Sequence, residues 1–291
     1  KRPILSLLRG FSAPVIMKLT RKEDRVMLFT CDSDLFNRWE AGQQMATELL
    51  LEAVSAYQNN VEPAAEETCL YVNALGQLLT ENSLECAFVA EAIRLPSEAY
   101  IGDQMKVVDV EAIHWAREGL RQTIAKQLKN LLIDSYHAHS SDRLYSPDAK
   151  ESGRRSLRNG VLNYLISLDD PEMLDLCINQ CRSTDNMTDR MAALGLLTNI
   201  DHPARQEALE DFYEQWRDEA LVLDKWFAVQ AVSILAKTLE TIKLLMTHTA
   251  FSLHNPNSVR ALIGTFASAN LLRFHEENGK GYRFLADCVL E

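Results

Sequence analysis

One near match to a zinc-binding motif stands close to the end of the sequence. His275 and Glu276 open the stretch HEENG, which begins like the motif H-E-x-x-H. That motif needs a second imidazole one helical turn after the first, so that both rings reach one metal ion. The second position holds Gly279, and the pair Asn278-Gly279 is typical of a helix end. The sequence therefore predicts no zinc site at these residues.

Two further groups of residues could bind a metal ion or an anion. His137 and His139 stand two positions apart at the end of a predicted helix, where such side chains point to different sides. This spacing favours a solvated helix end over a ligand pair. Arg154, Arg155 and Arg158 form a basic patch in an acidic chain. They are interpreted either as partners in salt bridges along a helix face or as contacts for an anion or a carboxylate.

The remaining candidate is a helix predicted to begin at Asn255-Pro256, since proline suits the first helical position. Its apolar residues recur at i, i+3, i+4 and i+7 and predict a buried face made of Val259, Leu262, Ile263 and Phe266. A second, polar face carries Asn257, Arg260 and Gly264. The spacing alone does not explain why an arginine stands on that face.

Composition excludes several classes of protein. The 291 residues are 47% hydrophobic, enough for a sizeable core, and contain no run of eighteen apolar residues that could span a membrane. The formal net charge of -11 argues against a general nucleic-acid binder, which needs a basic surface to displace counterions. The six cysteines form no C-x-x-C pair and are expected to be buried reduced thiols, which favours the cytoplasm.

Helical periodicity dominates the chain and predicts an all-α fold. A helix is expected to begin near Asp32 or Asp34, with an inward face made of Leu35, Trp39, Met45, Leu49 and Leu50. One long helix is predicted over residues 109–140. Later helix starts are marked by a capping residue before proline: Ser146-Pro147, Asp170-Pro171, His202-Pro203 and Asn255-Pro256. Successive helices with short polar turns favour an α-solenoid, a superhelix of HEAT- or armadillo-like helix pairs.

The first twenty residues differ from the rest. Apolar residues alternate at Val15, Met17 and Leu19, and this pattern predicts a β-strand. A single strand needs a partner, so the strand is expected to belong to a β-domain outside this chain. The sequence therefore predicts two regions, a strand and linker over 1–20 and a helical domain over 21–291. The helical domain is expected to continue beyond the last residue.

Six segments resemble, in the same order, the C-terminal helical region of the bacterial aminopeptidase N family, alanyl aminopeptidases among the H-E-x-x-H zinc metallopeptidases. They are LLRGFSAPV (7–15), FNRWEAGQ (36–43), DNMTDRMAAL (185–194), LVLDKWFAVQA (221–231), HNPNSVRALIGTF (254–266) and NGKGYRFLAD (278–287). The resemblance covers essentially the whole chain and is most specific from Asp185 onward. It implies that residues 7–19 are the last strand of a small β-sandwich and that the helices form most of a superhelix.

The resemblance also implies a function. A member of this family would remove N-terminal amino acids from peptides in the cytoplasm with a zinc-activated water. The family's zinc ligands, catalytic glutamate and transition-state tyrosine have no counterpart in this sequence, so the segment is expected to hold no catalytic or metal-binding residue. It would enclose the substrate cavity and pack on the catalytic domain of the same chain. Arg260 and Asn257 lie on a polar face that suits a cavity wall and would line that cavity. For Arg260, a salt bridge between helices or domains and an exposed side chain remain open as alternatives. The expected partners are that domain and peptides, without nucleic acid or membrane.

Two other functions remain open. A stand-alone α-solenoid adaptor would bind a partner protein along a concave groove. A gene that begins and ends at these residues would favour that adaptor. An enzyme with a small-molecule site among the helices would need clustered acid–base residues, and a deep pocket with perturbed carboxylates would favour it.

Overall fold

The computed structural model describes residues 3–13, 15, 21–63, 65–140 and 144–290. Every regular element within these ranges is a helix, which confirms the predicted all-α class. The chain divides into two compact units, Lys1–Met173 and Leu174–Glu291.

The first unit consists of long and short helices packed on one another. Its α-helices are α1 (Lys22–Cys31), α2 (Leu35–Gln58), α3 (Ala65–Thr80), α4 (Cys86–Ala92), α5 (Glu98–Asp103), α6 (Val110–Gln127), α7 (Lys129–Ala138) and α8 (Ala149–Leu165). Helix α2 packs on α1 and α6, whereas α8 packs on α4 and α7. Short 3-10 turns lie at Arg9–Phe11 and Ile166–Leu168. The centre of the core holds fully buried Phe29, Leu50, Tyr71, Leu75, Ile124 and Leu162.

The buried face of α2 differs from the predicted one. The helix begins as expected, because Asp34 Oδ1 accepts a hydrogen bond from the backbone of Asn37 at 3.0 Å. Of the five residues predicted to face inward only Leu50 is buried, and Leu35 is 47% exposed. Small residues and one arginine take the inner positions: Arg38, Ala41, Gly42 and Ala46. They do so because α1 packs very closely, so that a Cβ on Gly42 would lie 2.5 Å from the ring of Phe29.

Two predicted helix boundaries also differ from those in the structure. The long helix over 109–140 is two helices, which meet at Leu128, where φ is -104° and ψ is 14°. The helix expected to start at Ser146-Pro147 begins at Ala149, since Asp148 is the capping residue and accepts from the backbone of Glu151 at 2.9 Å. Proline therefore precedes the cap here instead of following it.

The β-strand predicted around residues 7–19 is not formed in its described part. Gly10 lies inside a 3-10 turn with φ of 64°. Its backbone N–H donates to Asp34 Oδ2 at the start of α2, at 2.7 Å. Residues 14 and 16–20, which include Met17 and Leu19, lie outside the described residues.

The second unit is organised around one central helix. Its α-helices, the first of which begins just before the boundary, are α9 (Pro171–Ser183), α10 (Met187–Leu197), α11 (Pro203–Trp216), α12 (Ala220–Ala231), α13 (Thr238–Leu245), α14 (Pro256–Val259), α15 (Thr265–Ala269), α16 (Leu271–Phe274) and α17 (Lys280–Leu290). Helix α12 contacts α10, α11, α13, α14 and α15. Its Trp226 donates from Nε1 to the carbonyl of Leu209 at 2.9 Å, which fixes α12 on α11.

Candidate functional site

The surface around Arg260 is carried by a helix whose centre is π-helical. Asn255 Oδ1 accepts a hydrogen bond from the backbone two residues later at 3.0 Å, and Pro256 occupies the first helical position. Helix α14 then continues into the π-helical segment Arg260–Gly264 and ends as α15. The backbone and the hydroxyl of Thr265 both donate to the Arg260 carbonyl five residues back. Such wide turns are rare and are often found at functional sites.

The apolar side of this helix is buried largely as predicted. Leu262, Ile263 and Phe266 are buried, whereas Val259 is only half-buried. Phe266 makes edge-to-face contacts with two other rings, Phe274 at 5.7 Å and Phe284 at 5.9 Å between centroids. These contacts fix how the helix is rotated about its axis, and hence which residues face outward.

Asn270 anchors the end of the same helix to the centre of the second unit. Its Nδ2 donates to the carbonyls of Ala231 and Ser233 at 2.9 and 2.8 Å. Its Oδ1 accepts from the backbone of Arg273 at 3.2 Å, which caps α16. Asn270 is not among the residues that the sequence singles out, although an asparagine directly before the apolar run LLRF is a usual capping signal.

The outward side carries the two residues predicted to line a cavity. Asn257 and Arg260 are both exposed. The guanidinium of Arg260 makes no hydrogen bond or ion pair with any residue that the structure describes. A Cβ on Gly264 would lie 3.7 Å from the Val259 carbonyl, an ordinary contact, so this glycine is not required by close packing. An exposed guanidinium with no partner in the described residues is available to bind a carboxylate.

The histidines considered as metal ligands make contacts with other residues. His275 follows α16, and its Nδ1 lies 2.6 Å from the hydroxyl of Tyr282. Gly279 has a left-handed φ of 65°, which ends the H-E-x-x-H-like stretch. His139 Nδ1 donates to the carbonyl of Ser135 at 2.7 Å. Within the described ranges no group of three or more His, Cys, Asp or Glu side chains could hold a metal ion.

The three arginines of the basic patch have three different environments. Arg154 forms an ion pair with Glu151 at 2.7 Å. Arg158 donates from Nη2 to the hydroxyl of Tyr136 at 3.0 Å. Arg155 is buried, and its Cζ lies 4.7 Å from the centre of the Tyr145 ring. The interpretation as a row of salt bridges along the helix therefore describes Arg154 and does not describe Arg155.

The cysteines are free but mostly not buried. Cys177 and Cys181 are buried, whereas Cys31 and Cys69 are exposed. Burial raises the pKa of the Cys177 thiol to about 12, so that this thiol is unreactive at neutral pH. The expectation of buried thiols is wrong for the two exposed ones. Among the described helices, none has both the length and the apolar character needed to span a membrane.

Comparisons with known proteins agree with this helical architecture. A family model described as "Domain of unknown function (DUF3458_C) ARM repeats" matches residues 22–291. The chain is 41% identical to the aminopeptidase N of Caulobacter vibrioides over 290 residues, which is 99% of the chain and 33% of that protein. It is 31% identical to the aminopeptidase N of Escherichia coli over 292 residues, again 33% of that protein.

The chain is also similar to a solved structure of an aminopeptidase. The crystal structure of Legionella pneumophila aminopeptidase A in complex with aspartic acid aligns with 99% of this chain at a TM-score of 0.86 and 31% identity, and the match covers 34% of that protein. The chain thus spans about a third of the length of the relatives it matches. The matched third is their C-terminal region.

Proposed function

The chain belongs to the DUF3458_C family of ARM-repeat domains, and from this premise we propose that it is the C-terminal helical region of a zinc-dependent aminopeptidase. The whole enzyme would remove N-terminal residues from peptides. The observation that carries this proposal is the 41% identity to an aminopeptidase N over 99% of the chain. The structural similarity to an aminopeptidase A gives independent support.

The zinc would be bound by another part of the polypeptide. That part would supply the zinc chemistry, namely polarisation of the scissile carbonyl and a lowered pKa of a bound water, together with a carboxylate as proton acceptor. The described residues of this chain do not fit that metal, because they contain no cluster of three ligands and the ring of His275 is bonded to Tyr282. No step of the hydrolysis is therefore assigned to a residue of this chain.

The contribution of this chain would be to enclose the substrate cavity and to pack on the catalytic domain. Arg260 and Asn257 would line the cavity. A peptide whose N-terminal residue lies at the zinc directs its C-terminal carboxylate away from it, and the planar fork of an arginine binds a carboxylate through two N–H donors. The exposure of Arg260 and its lack of a partner among the described residues support this role. The buried residues Leu262 and Phe266 would hold the helix in place beneath it.

The cell compartment we propose is the cytoplasm. Cys31 and Cys69 are exposed free thiols, and such thiols persist most readily in a reducing environment. Peptides produced by other proteases in that compartment would be the substrates.

The proposal is tested by comparing the 291-residue chain with the complete polypeptide encoded by its gene. The complete protein should hydrolyse alanine p-nitroanilide and lose that activity when a chelator removes its zinc. The isolated chain, checked for helical content by circular dichroism, should show no hydrolysis and no stoichiometric zinc by elemental analysis. Robust hydrolysis by the isolated chain, or full activity of the complete protein without zinc, would contradict the proposal.

A further inference from the structure

Arg155 of α8 is a buried cation that forms no ion pair with any residue that the structure describes. Only 5% of the residue is exposed, and its Nε is buried without a hydrogen-bond partner. Its guanidinium lies over the ring of Tyr145, 4.7 Å from Cζ to the ring centre. Burying a guanidinium is costly unless an anion or several acceptors replace the lost water. The ring offsets part of the charge, but it offers the N–H donors no oxygen acceptor.

The carboxylates at the start of α8 are already engaged by other groups. Glu151 binds Arg154 at 2.7 Å. Asp148 accepts hydrogen bonds from the Ser146 hydroxyl and from the backbone of Glu151, and these two bonds are the main reasons why its pKa is lowered. Arg155 adds a weaker electrostatic effect on Asp148 and forms no ion pair with it. No carboxylate of the described residues neutralises Arg155 directly.

Two further arginines stand close to Arg155 in the sequence of α8. Arg158 follows Arg155 by three residues on the same helix, and its guanidinium lies 4.8 Å from the centre of the Tyr136 ring. Arg154 directly precedes Arg155 and is paired with Glu151. Arg155 therefore differs from Arg154 in having no carboxylate partner among the described residues.

We propose that Arg155 is the centre of a binding site for a small oxyanion, either phosphate or a carboxylate. Both ions present two oxygens that match the paired N–H donors of a guanidinium. Tyr145, which is 50% exposed, forms the solvent-facing edge of the site. The site belongs to the first unit, and it does not depend on the peptidase function proposed for the whole protein.

The experiment records the unfolding temperature of the complete protein. Sodium phosphate or sodium acetate replaces sodium chloride stepwise, and the ionic strength is kept constant. A specific site gives a saturable rise, because a ligand that binds only the folded state stabilises it. Arg155→Met should weaken the affinity by at least about 10- to 100-fold, because it removes the charge and both N–H donors. Arg94→Met is the matched control, since it removes an exposed arginine paired with Glu91 and should leave the affinity unchanged.

A second variant keeps the test decisive if Arg155→Met does not fold. Arg155→Lys retains the charge but loses the two-pronged donor, and it should bind at least several-fold more weakly. The phosphate and acetate titrations identify which oxyanion the site prefers. A rise no larger than that in chloride for both anions would overturn the proposal. So would an unchanged affinity in the Arg155 variants.

Discussion

Arg38 of α2 donates a hydrogen bond from Nε to the carbonyl oxygen of Phe29 near the end of α1, at 3.0 Å. Its Nη2 donates to the next carbonyl, that of Thr30, at 2.8 Å, and also to Glu81 Oε2 at 2.8 Å. The last carbonyls of a helix have no partner within it, and a cation there also interacts favourably with the helix dipole. One buried side chain therefore joins α1, α2 and the residue that follows α3.

Replacing this arginine should destabilise the first unit strongly. Arg38→Met removes the donors of two carbonyls and of one carboxylate, and we expect a loss of about 2–4 kcal/mol in the free energy of unfolding. Urea denaturation followed by circular dichroism measures it. Arg94→Met removes an arginine whose side chain is 66% exposed and should cost less than about 1 kcal/mol. Equal losses in the two variants would show that Arg38 does not have this role.

A second prediction concerns the close approach of α17 to α16. A Cβ on Gly281 would lie 2.2 Å from the carbonyl oxygen of Phe274, and a backbone oxygen cannot move away without shifting its helix. Gly281→Ala should therefore lower the free energy of unfolding by about 1–3 kcal/mol, the usual cost of overpacking. Gly119→Ala is the control within α6, because its Cβ would meet nothing within 4 Å. Gly119→Ala should raise the free energy of unfolding by about 0.5–1 kcal/mol. If it instead lowered that free energy as much as Gly281→Ala does, the steric explanation would be ruled out.

A third prediction concerns pH and the ion pair between Lys129 and Asp170, whose Nζ and Oδ2 lie 2.6 Å apart. The hydrogen bond from Lys129 lowers the pKa of Asp170 below its ordinary value of 3.8. The same bond raises the pKa of Lys129 above its ordinary 10.5. The stabilisation due to Asp170 is thus present above pH 3.8 and is lost as the pH falls through the lowered pKa. That due to Lys129 is present below pH 10.5 and is lost as the pH rises through the raised pKa.

Lys129→Met should flatten the pH dependence at both ends. In the variant the free energy of unfolding should fall less between pH 4 and 2, because the main cause of the lowered Asp170 pKa is gone. It should also fall less above pH 10, where the lysine would otherwise lose its proton. Urea denaturation at a series of pH values measures both slopes. Slopes identical to those of the unsubstituted protein would mean that the pair does not contribute.

Helix starts could be predicted from the sequence because capping is local. Asp170 and His202 each accept a hydrogen bond from the backbone two residues later, at 3.0 and 3.2 Å, directly before a proline-initiated helix. Asn255 does the same. A short polar side chain and a proline decide these contacts without help from the rest of the fold.

The inner face of α2 could not be predicted in the same way, because the neighbouring helix determines it. Hydrophobic spacing selects large residues such as Trp39 and Leu49, which are only partly buried. The ring of Phe29 on α1 instead presses against Gly42, a contact that joins residues of two different helices. The same limit holds for the basic patch. Spacing alone does not reveal that Arg154 has a carboxylate partner and that Arg155 has none among the described residues.

The final prediction concerns Arg260 and depends on the proposed peptidase function. If Arg260 binds the C-terminal carboxylate of a peptide, Arg260→Ala in the complete enzyme should raise KM for tri- and tetrapeptides by about 10- to 100-fold. KM for an alanyl anilide, which carries no such carboxylate, should stay within about twofold. Arg217→Ala is the control, because Arg217 is an exposed arginine of the same unit that pairs with Glu214.

Peptides with an amidated C-terminus separate this role of Arg260 from a merely structural one. Amidation removes the negative charge and leaves the length of the peptide unchanged. The unsubstituted enzyme should therefore bind amidated peptides about as weakly as Arg260→Ala binds free ones, and the substitution should cause no further loss with them. An equal rise in KM for free peptides, amidated peptides and the anilide would instead mean that Arg260 supports the fold or a contact between domains. The guanidinium would then not meet the substrate.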